Sequence, residues 1–280
     1  MSITVSLINM KGGVGKSTIA VNLAWHYAAY SNWRKRVLVV DLDPQFNASQ
    51  YLVGANRYGG FLADGKPTIW DIFEQFTRTP GRSNEVLNSA DAVRTVRRFT
   101  KGGAVEMIPS RLELAYSLKN PSQKEANLAK VLTSLSNNHD LILIDCAPTE
   151  SLLTAAAYLA SDFLLVPVRP EYLSTIGLPL LATSLADFRQ QYPTSTLKLA
   201  GVVFNAISSY APEEEQSRRE VKKLAKEKGW HIYASEITYS RSYPKGAREG
   251  RPIFWTSYAR TRQAEKFSAF ANEFGKSIGL

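Results

Sequence analysis

Ile3-Thr4-Val5-Ser6-Leu7-Ile8, followed by Asn9-Met10-Lys11-Gly12-Gly13-Val14-Gly15-Lys16-Ser17-Thr18, decides the reading of this chain. The first six residues are rich in branched side chains and read as a strand. Ser17 to Tyr30 then has helical spacing, with Ile19, Leu23 and Tyr27 on one face. Between them lies a glycine loop. Glycines let successive N–H groups converge on an anion, and the helix N-terminus adds a favourable partial charge. Lys16 is placed to reach β- and γ-phosphates, Ser17 to ligate Mg²⁺ and Thr18 to donate to an α-phosphate. The loop follows the pattern G-x-x-x-x-G-K-[ST] except at its first position, where Met10 stands for glycine. Lys11 follows, adding a second positive charge close to a triphosphate. That charge makes most sense if it reaches the nucleotide of a second copy of the chain.

Outward from this unit, strands and helices alternate. Val37 to Val40 is a continuous apolar run ending in Asp41, and Leu141 to Ile144 another ending in Asp145. Such runs mark strands buried on both faces of a parallel sheet. Strands are expected at Val105–Ile108, Phe163–Val168 and Leu199–Asn205. Helices are expected at Ser122–Leu135, Ser151–Ala160, Leu173–Tyr192, Pro212–Lys228 and Tyr258–Ile278, the last with Phe267, Phe270, Ala271 and Phe274 on one side. The expected fold is α/β: a P-loop NTPase with a twisted, mostly parallel sheet and helices on both faces, spanning 1–280 as one domain. Within it, about 55–103 reads as a variable insertion: a loop at Gly54–Pro67, a short helix at Thr68–Phe76 and another loop at Thr77–Ser83. Arg94, Arg97, Arg98 and Lys101 in this stretch find no role. Aspartates at strand ends face the ligand crevice of such sheets, so Asp41 and Asp145 are candidate site residues.

Lys11 to Ser17 resembles the deviant Walker A box of the ParA/MinD superfamily. Val39-Val40-Asp41-Leu42-Asp43-Pro44-Gln45 is similar to its second box, Leu143-Ile144-Asp145-Cys146-Ala147-Pro148 to its Walker B region, and Val166-Pro167-Val168-Arg169-Pro170-Glu171 to its next strand and turn. The likeness covers about 1–54 and 140–280 and is nearest to ParA proteins of the Soj type. It implies ATP and Mg²⁺ as ligands and an ATP-dependent sandwich dimer. Lys11, Lys16 and Asp43 are then catalytic, with Asp43 positioning the attacking water. Gly12, Gly13, Val14 and Gly15 hold the phosphates, and Ser17, Asp41 and Asp145 serve the metal. Asn205 would read adenine, and the loop from Tyr239 to Pro244 would close the base pocket. One departure stands out: family members usually carry glycine after Asp-Pro-Gln, and here the residue is Phe46. Ala147 also stands where a proline is common.

The chain has 280 residues, 44% of them hydrophobic, and a formal charge of +9. No apolar run approaches the ~20 residues of a membrane span, and Met1 to Ile8 does not read as a signal peptide. A single cysteine, Cys146, excludes an intramolecular disulfide and a cysteine-built cluster such as an electron carrier of this fold would need. A cytoplasmic protein is expected. From Gln216 to Arg251 there are ten Lys or Arg against four Asp or Glu. Arg218, Lys222 and Lys226 make one stripe of a helix, and Arg241, Lys245, Arg248 and Arg251 punctuate what reads as a loop. With the resemblance, this favours non-specific DNA binding through Arg218, Lys222, Lys223, Arg241 and Lys245, and association with the nucleoid. Only ten residues precede Lys11, so no helix-turn-helix domain is expected ahead of it. A ParB-like adaptor that stimulates hydrolysis is the expected partner. Two other readings compete: a MinD-like membrane ATPase, which needs a more basic C-terminal amphipathic helix than Ala264–Ile278, and a metabolic ATP-dependent enzyme.

Overall fold

The computed structural model describes all residues except 1, 31, 76–86, 120–123, 172–173 and 209–211, and the side chains of 174–176 and 212. Ile3–Leu7 forms β1, and the glycine loop turns the chain into α1 (Lys16–Ala29). The return strand β2 (Arg36–Leu42) leads into three short helices, α2 (Asn47–Val53), α3 (Ala55–Ala63) and α4 (Ile69–Glu74). A 3-10 turn at Ser89–Ala92 precedes the antiparallel pair β3 (Arg94–Arg98) and β4 (Ala104–Ile108). Next come α5 (Leu114–Ser117), α6 (Glu125–Leu135), β5 (Leu141–Cys146), α7 (Leu152–Ala160) and β6 (Phe163–Val168). The chain then forms α8 (Ser174–Gln191), β7 (Lys198–Phe204), α9 (Pro212–Lys228), α10 (Ser242–Glu249) and α11 (Thr261–Ser277).

Among the described residues the seven strands make one sheet in the order β3-β4-β2-β5-β1-β6-β7, parallel except for β3. Alternation along the central strands builds a core on each face. Val37, Val39, Leu141 and Leu143 join α1, α2 and α11 on one face. Leu38, Val40, Ile142 and Ile144 join α4, α6, α7, α8 and α9 on the other. Phe267, Phe270, Ala271 and Phe274 of α11 are fully buried. Because β1 lies between β5 and β6, the glycine loop opens at the middle of the sheet's carboxyl edge.

The sequence reading is corrected in three places. Gly54–Pro67 contains α3, not only loop. Gly59 and Gly60 discourage a helix there, but Tyr58 is buried and anchors it. Arg94–Arg98 is an edge strand, and the Arg57 guanidinium covers its carbonyls at Thr95 (2.9 Å) and Val96 (3.1 Å). Arg241, Lys245 and Arg248 belong to α10 rather than to a loop, with Arg241 at its N-cap. Tyr58, Ile69, Ile72, Phe73, Ala92 and Val96 are buried, so the described parts of 55–103 are built into the core and the sheet edge. The expected loop at Thr77–Ser83 lies outside the described residues.

Candidate active site at the glycine loop

Gly13 and Gly15 have φ of 75° and 94°, a region open to glycine and costly for other residues. A Cβ on Gly15 would also come within 2.1 Å of the Asn205 amide nitrogen. Gly15 is therefore fixed twice, by its own backbone and by its neighbour. Asn9 holds the other end of the loop: its Nδ2 donates to Pro167 O (2.8 Å) and its Oδ1 accepts from Lys11 N–H (3.0 Å). The buried Lys16 ammonium donates back to the carbonyls of Asn9 (3.2 Å) and Lys11 (3.1 Å). Burial lowers its pKa, against the raising influence of Asp145, Cys146 and Asp43.

Over the loop lies a cleft of about 430 Å³, lined by Gly12, Gly13, Gly15, Lys16, Ser17, Thr18 and Asp43 together with Gln45, Asn47, Gln50, Tyr51, Pro148 and Ala247. The structure thus brings together the loop residues and Asp43. Val14 lies beneath, buried, its carbonyl accepting from Asn205 Nδ2 (2.8 Å). Asn205 acts as a strut under the loop, and neither it nor Pro244 lines this cleft. Pro244 is exposed on the first turn of α10, while Tyr239 and Thr238 line a second cleft of about 530 Å³ with Arg169, Ala206 and Ile207.

Asp41 and Asp145 are partners across β2 and β5, and both are fully buried. Their environments differ. Asp41 Oδ2 accepts from Ser49 N–H (2.7 Å) and Ser49 Oγ (2.6 Å), and its Oδ1 from Asp43 N–H (3.2 Å). Burial nevertheless pushes its pKa up to about 7. Both oxygens are hydrogen-bonded to Ser49 of α2 and to the Asp43 backbone, so in this structure Asp41 braces the strand end. Neither Asp145 oxygen completes a hydrogen bond of ordinary geometry within the protein. Burial, and then the Asp41 charge, raise the Asp145 pKa well above the carboxylate range, while the Ser17 hydroxyl and the Lys16 ammonium oppose the shift.

A buried carboxylate left without a partner is costly unless a cation or proton satisfies it. With the Ser17 hydroxyl beside it, the pair fits Mg²⁺. Among the described residues no group of three or more His, Cys, Asp or Glu could enclose a metal ion, so an ion held here would need the rest of its ligands from phosphate and water. Cys146, next in β5, is buried and its thiol is pushed up to about 12, which makes it a packing residue.

Lys11 pairs within its own chain with Glu171 (3.2 Å), which also holds Arg169 Nε (2.7 Å). Ser49, Glu171 and Asn9 were not singled out from the sequence. A lone serine, glutamate or asparagine carries no spacing signal. The Asn9 side chain becomes meaningful only once β6 is seen beside the loop.

Residues 2–199 match the family model described as an AAA domain. The chain is 30% identical over 272 residues to the sporulation initiation inhibitor protein Soj of Bacillus subtilis, covering 96% of each chain. It belongs to the ParA/MinD superfamily of ATPases. Within that superfamily it is a ParA-like chain: it is also 29% identical to the chromosome partitioning protein ParA of Myxococcus xanthus, over 97% of this chain and 87% of that one. The fold is shared with an ATP complex of a substituted McdA from Cyanothece (TM-score 0.79, 19% identity, 100% and 97% coverage). It is shared too with the cell division ATPase MinD of Pyrococcus furiosus (TM-score 0.69, 22% identity, 99% of each chain).

The five residues expected at DNA divide. Arg218 pairs with Glu236 and lies over the Phe204 ring at 5.3 Å, so its guanidinium is engaged within the chain. Lys222 and Lys223 are exposed on α9, Arg241 and Lys245 on or beside α10, with Lys245 paired to Glu249 at 3.4 Å. The two helices pack on opposite faces of the sheet, through Val221 on one side and Tyr243 and Ala247 on the other. The four therefore do not form a stripe on one helix.

Proposed function

We propose that this ParA-like ATPase binds Mg-ATP, pairs with a second copy around two nucleotides, attaches to DNA without reading sequence, and lets go when an adaptor protein speeds hydrolysis. The observation that carries the nucleotide part is the buried Asp145 carboxylate, whose oxygens complete no hydrogen bond of ordinary geometry, beside Ser17 at the foot of a loop with two lysines. Gly12 to Gly15 present N–H groups to the phosphates. Lys16 trades its two loop carbonyls for phosphate oxygens, and Thr18 donates from the first turn of α1. Ser17 and Asp145 would hold Mg²⁺, which supplies charge neutralisation between the β- and γ-phosphates. Asp43 lines the cleft and orients the attacking water, while Asp41 holds the strand end through Ser49.

Lys11 is the residue of the dimer. Leaving Glu171, it would place its ammonium on the partner's triphosphate. The output is DNA attachment through Lys222, Lys223, Arg241 and Lys245, on a chain of net charge +9. A ParB-like adaptor, a cytoplasmic setting and nucleoid association complete the reading. A membrane role is disfavoured, because the apolar face of α11 is buried in the core and has no surface left for lipid.

Light scattering with and without Mg-ATP tests the switch. Wild type and Asp43→Ala should dimerise only with ATP, the latter persistently. Lys11→Ala should bind nucleotide within about threefold of wild type yet remain monomeric, since ground-state phosphate contacts rest mainly on the loop and Lys16. A Lys11→Ala protein that dimerises with ATP as well as wild type would sink the sandwich.

A further inference from the structure

We infer that Phe46 and Tyr58 form a positioning pair for Asp43, so that α3 belongs to the hydrolytic apparatus. The inference rests on the reading of Asp43 as the water-orienting residue. Phe46 occupies the position at which family members usually carry glycine. Its backbone keeps the conformation glycine would favour, with φ of 47° and ψ of 32°. A bulky residue holds that region only when its surroundings fix it there.

The surroundings form a closed circuit. The Phe46 ring stacks on Tyr58, with centroids 5.3 Å apart and planes at 18°. Tyr58, buried on α3, donates its hydroxyl to Ser110 O (2.8 Å). Ser110 N–H donates to Ser49 Oγ (3.0 Å), and Ser49 Oγ donates to Asp41 Oδ2 (2.6 Å). Asp41 Oδ1 accepts from Asp43 N–H (3.2 Å). Asp43 returns to Phe46 through its own carbonyl, which accepts Phe46 N–H (2.8 Å). Its carboxylate Oδ1 also accepts Gln45 N–H (2.9 Å). Both the main chain and the carboxylate of Asp43 are thus set by a loop whose far side is the aromatic pair.

Phe46 also starts α2, since its carbonyl accepts Gln50 N–H (3.1 Å), and α2 carries Gln50 and Tyr51 into the cleft. A glycine at 46 would leave a hinge. The stacked pair replaces that hinge with a fixed joint and gives α3 control of the carboxylate that faces the phosphates. Phe46 and Tyr58 touch no phosphate; they act through Asp43.

Single-turnover hydrolysis by Phe46→Gly, Tyr58→Leu, the double variant, Tyr58→Phe and Asp43→Ala tests this, alongside equilibrium titration with a fluorescent ATP analogue and thermal melts. Phe46→Gly and Tyr58→Leu should each slow hydrolysis about tenfold or more, the scale expected of a displaced reacting group. Analogue affinity should stay within about twofold. The double variant should be no slower than the worse single, because one joint is broken only once. Tyr58→Phe, which keeps the stack but cuts the circuit at Ser110, should slow hydrolysis less than Tyr58→Leu. The pair is overturned if Asp43→Ala abolishes hydrolysis while Phe46→Gly leaves it unchanged. It is equally overturned if the two single effects multiply, or if affinity falls as far as rate. Undiminished hydrolysis by Asp43→Ala would instead remove the reading of Asp43, and the inference with it.

Discussion

Two aspartates paired in register across neighbouring strands have opposite circumstances. Asp41 spends its oxygens on Ser49 and Asp43, whereas neither Asp145 oxygen completes a hydrogen bond of ordinary geometry and only the Ser17 hydroxyl and the Lys16 charge act on it. Stability and activity therefore pull apart at Asp145. Asp145→Asn removes the buried charge, though not the need for hydrogen bonds, and should raise the stability of the nucleotide-free protein at pH 8 by about 1 kcal/mol. It should also remove Mg²⁺-dependent tightening of ATP binding. Thermal melts with and without Mg-ATP read both effects, and a lowered melting temperature without nucleotide would contradict the assignment. The phosphate residues were legible in the sequence because each is required by type: Gly15 for its backbone, Lys16 for reach, Ser17 for its hydroxyl. Asn205 was visible as a residue but not as a strut, since its partner Val14 is 191 positions away.

Elements buried on both faces announced themselves as apolar runs, and β2, β5 and β6 fall where those runs lie. The elements that escaped are those whose surroundings override local composition. Edge strand β3 reads Arg-Thr-Val-Arg-Arg because only Arg94 and Val96 turn inward. Helix α3 contains two adjacent glycines, and tertiary packing of Tyr58 decides it. At the neighbouring strand β4, Glu106 is nearly buried. It meets His139 Nε2 at 2.9 Å, while His139 Nδ1 faces Leu135 O at 3.1 Å. The hydrogen bond from His139 leads the influences that lower the Glu106 pKa below its ordinary value of 4.5. A depressed carboxylate contributes stability above its unfolded pKa and loses it as pH falls through the folded one. Glu106→Gln should thus cost about 1–2 kcal/mol at pH 7. Denaturant curves should bring variant and wild type together as pH drops below about 4. A gap that stays constant with pH would count against the pairing.

For the molecule as a whole, the four basic residues proposed for DNA are divided between helices that pack on opposite faces of the sheet, so a DNA contact that uses all four cannot run along one helix. Four phosphate contacts imply a loss of about 10²-fold in ATP-dependent DNA affinity between 50 and 200 mM salt. Lys222→Ala with Arg241→Ala should flatten the log–log slope by about two. An unchanged slope, measured by DNA retention, would remove α9 and α10 from the interface. The charge total was plain in the sequence; the pairing of Arg218 with Glu236 was not, because 18 residues and a change of element separate them.

The Arg57 side chain, laid across the carbonyls of Thr95 and Val96, has a further consequence for a protein that would crowd along a polymer. An open sheet border is a template on which identical chains extend one another into fibres. Here a cation occupies that border where an incoming strand would need its acceptors. Local enrichment of such a chain would then not extend the sheet across this border, because two of the acceptors an added strand needs are already taken.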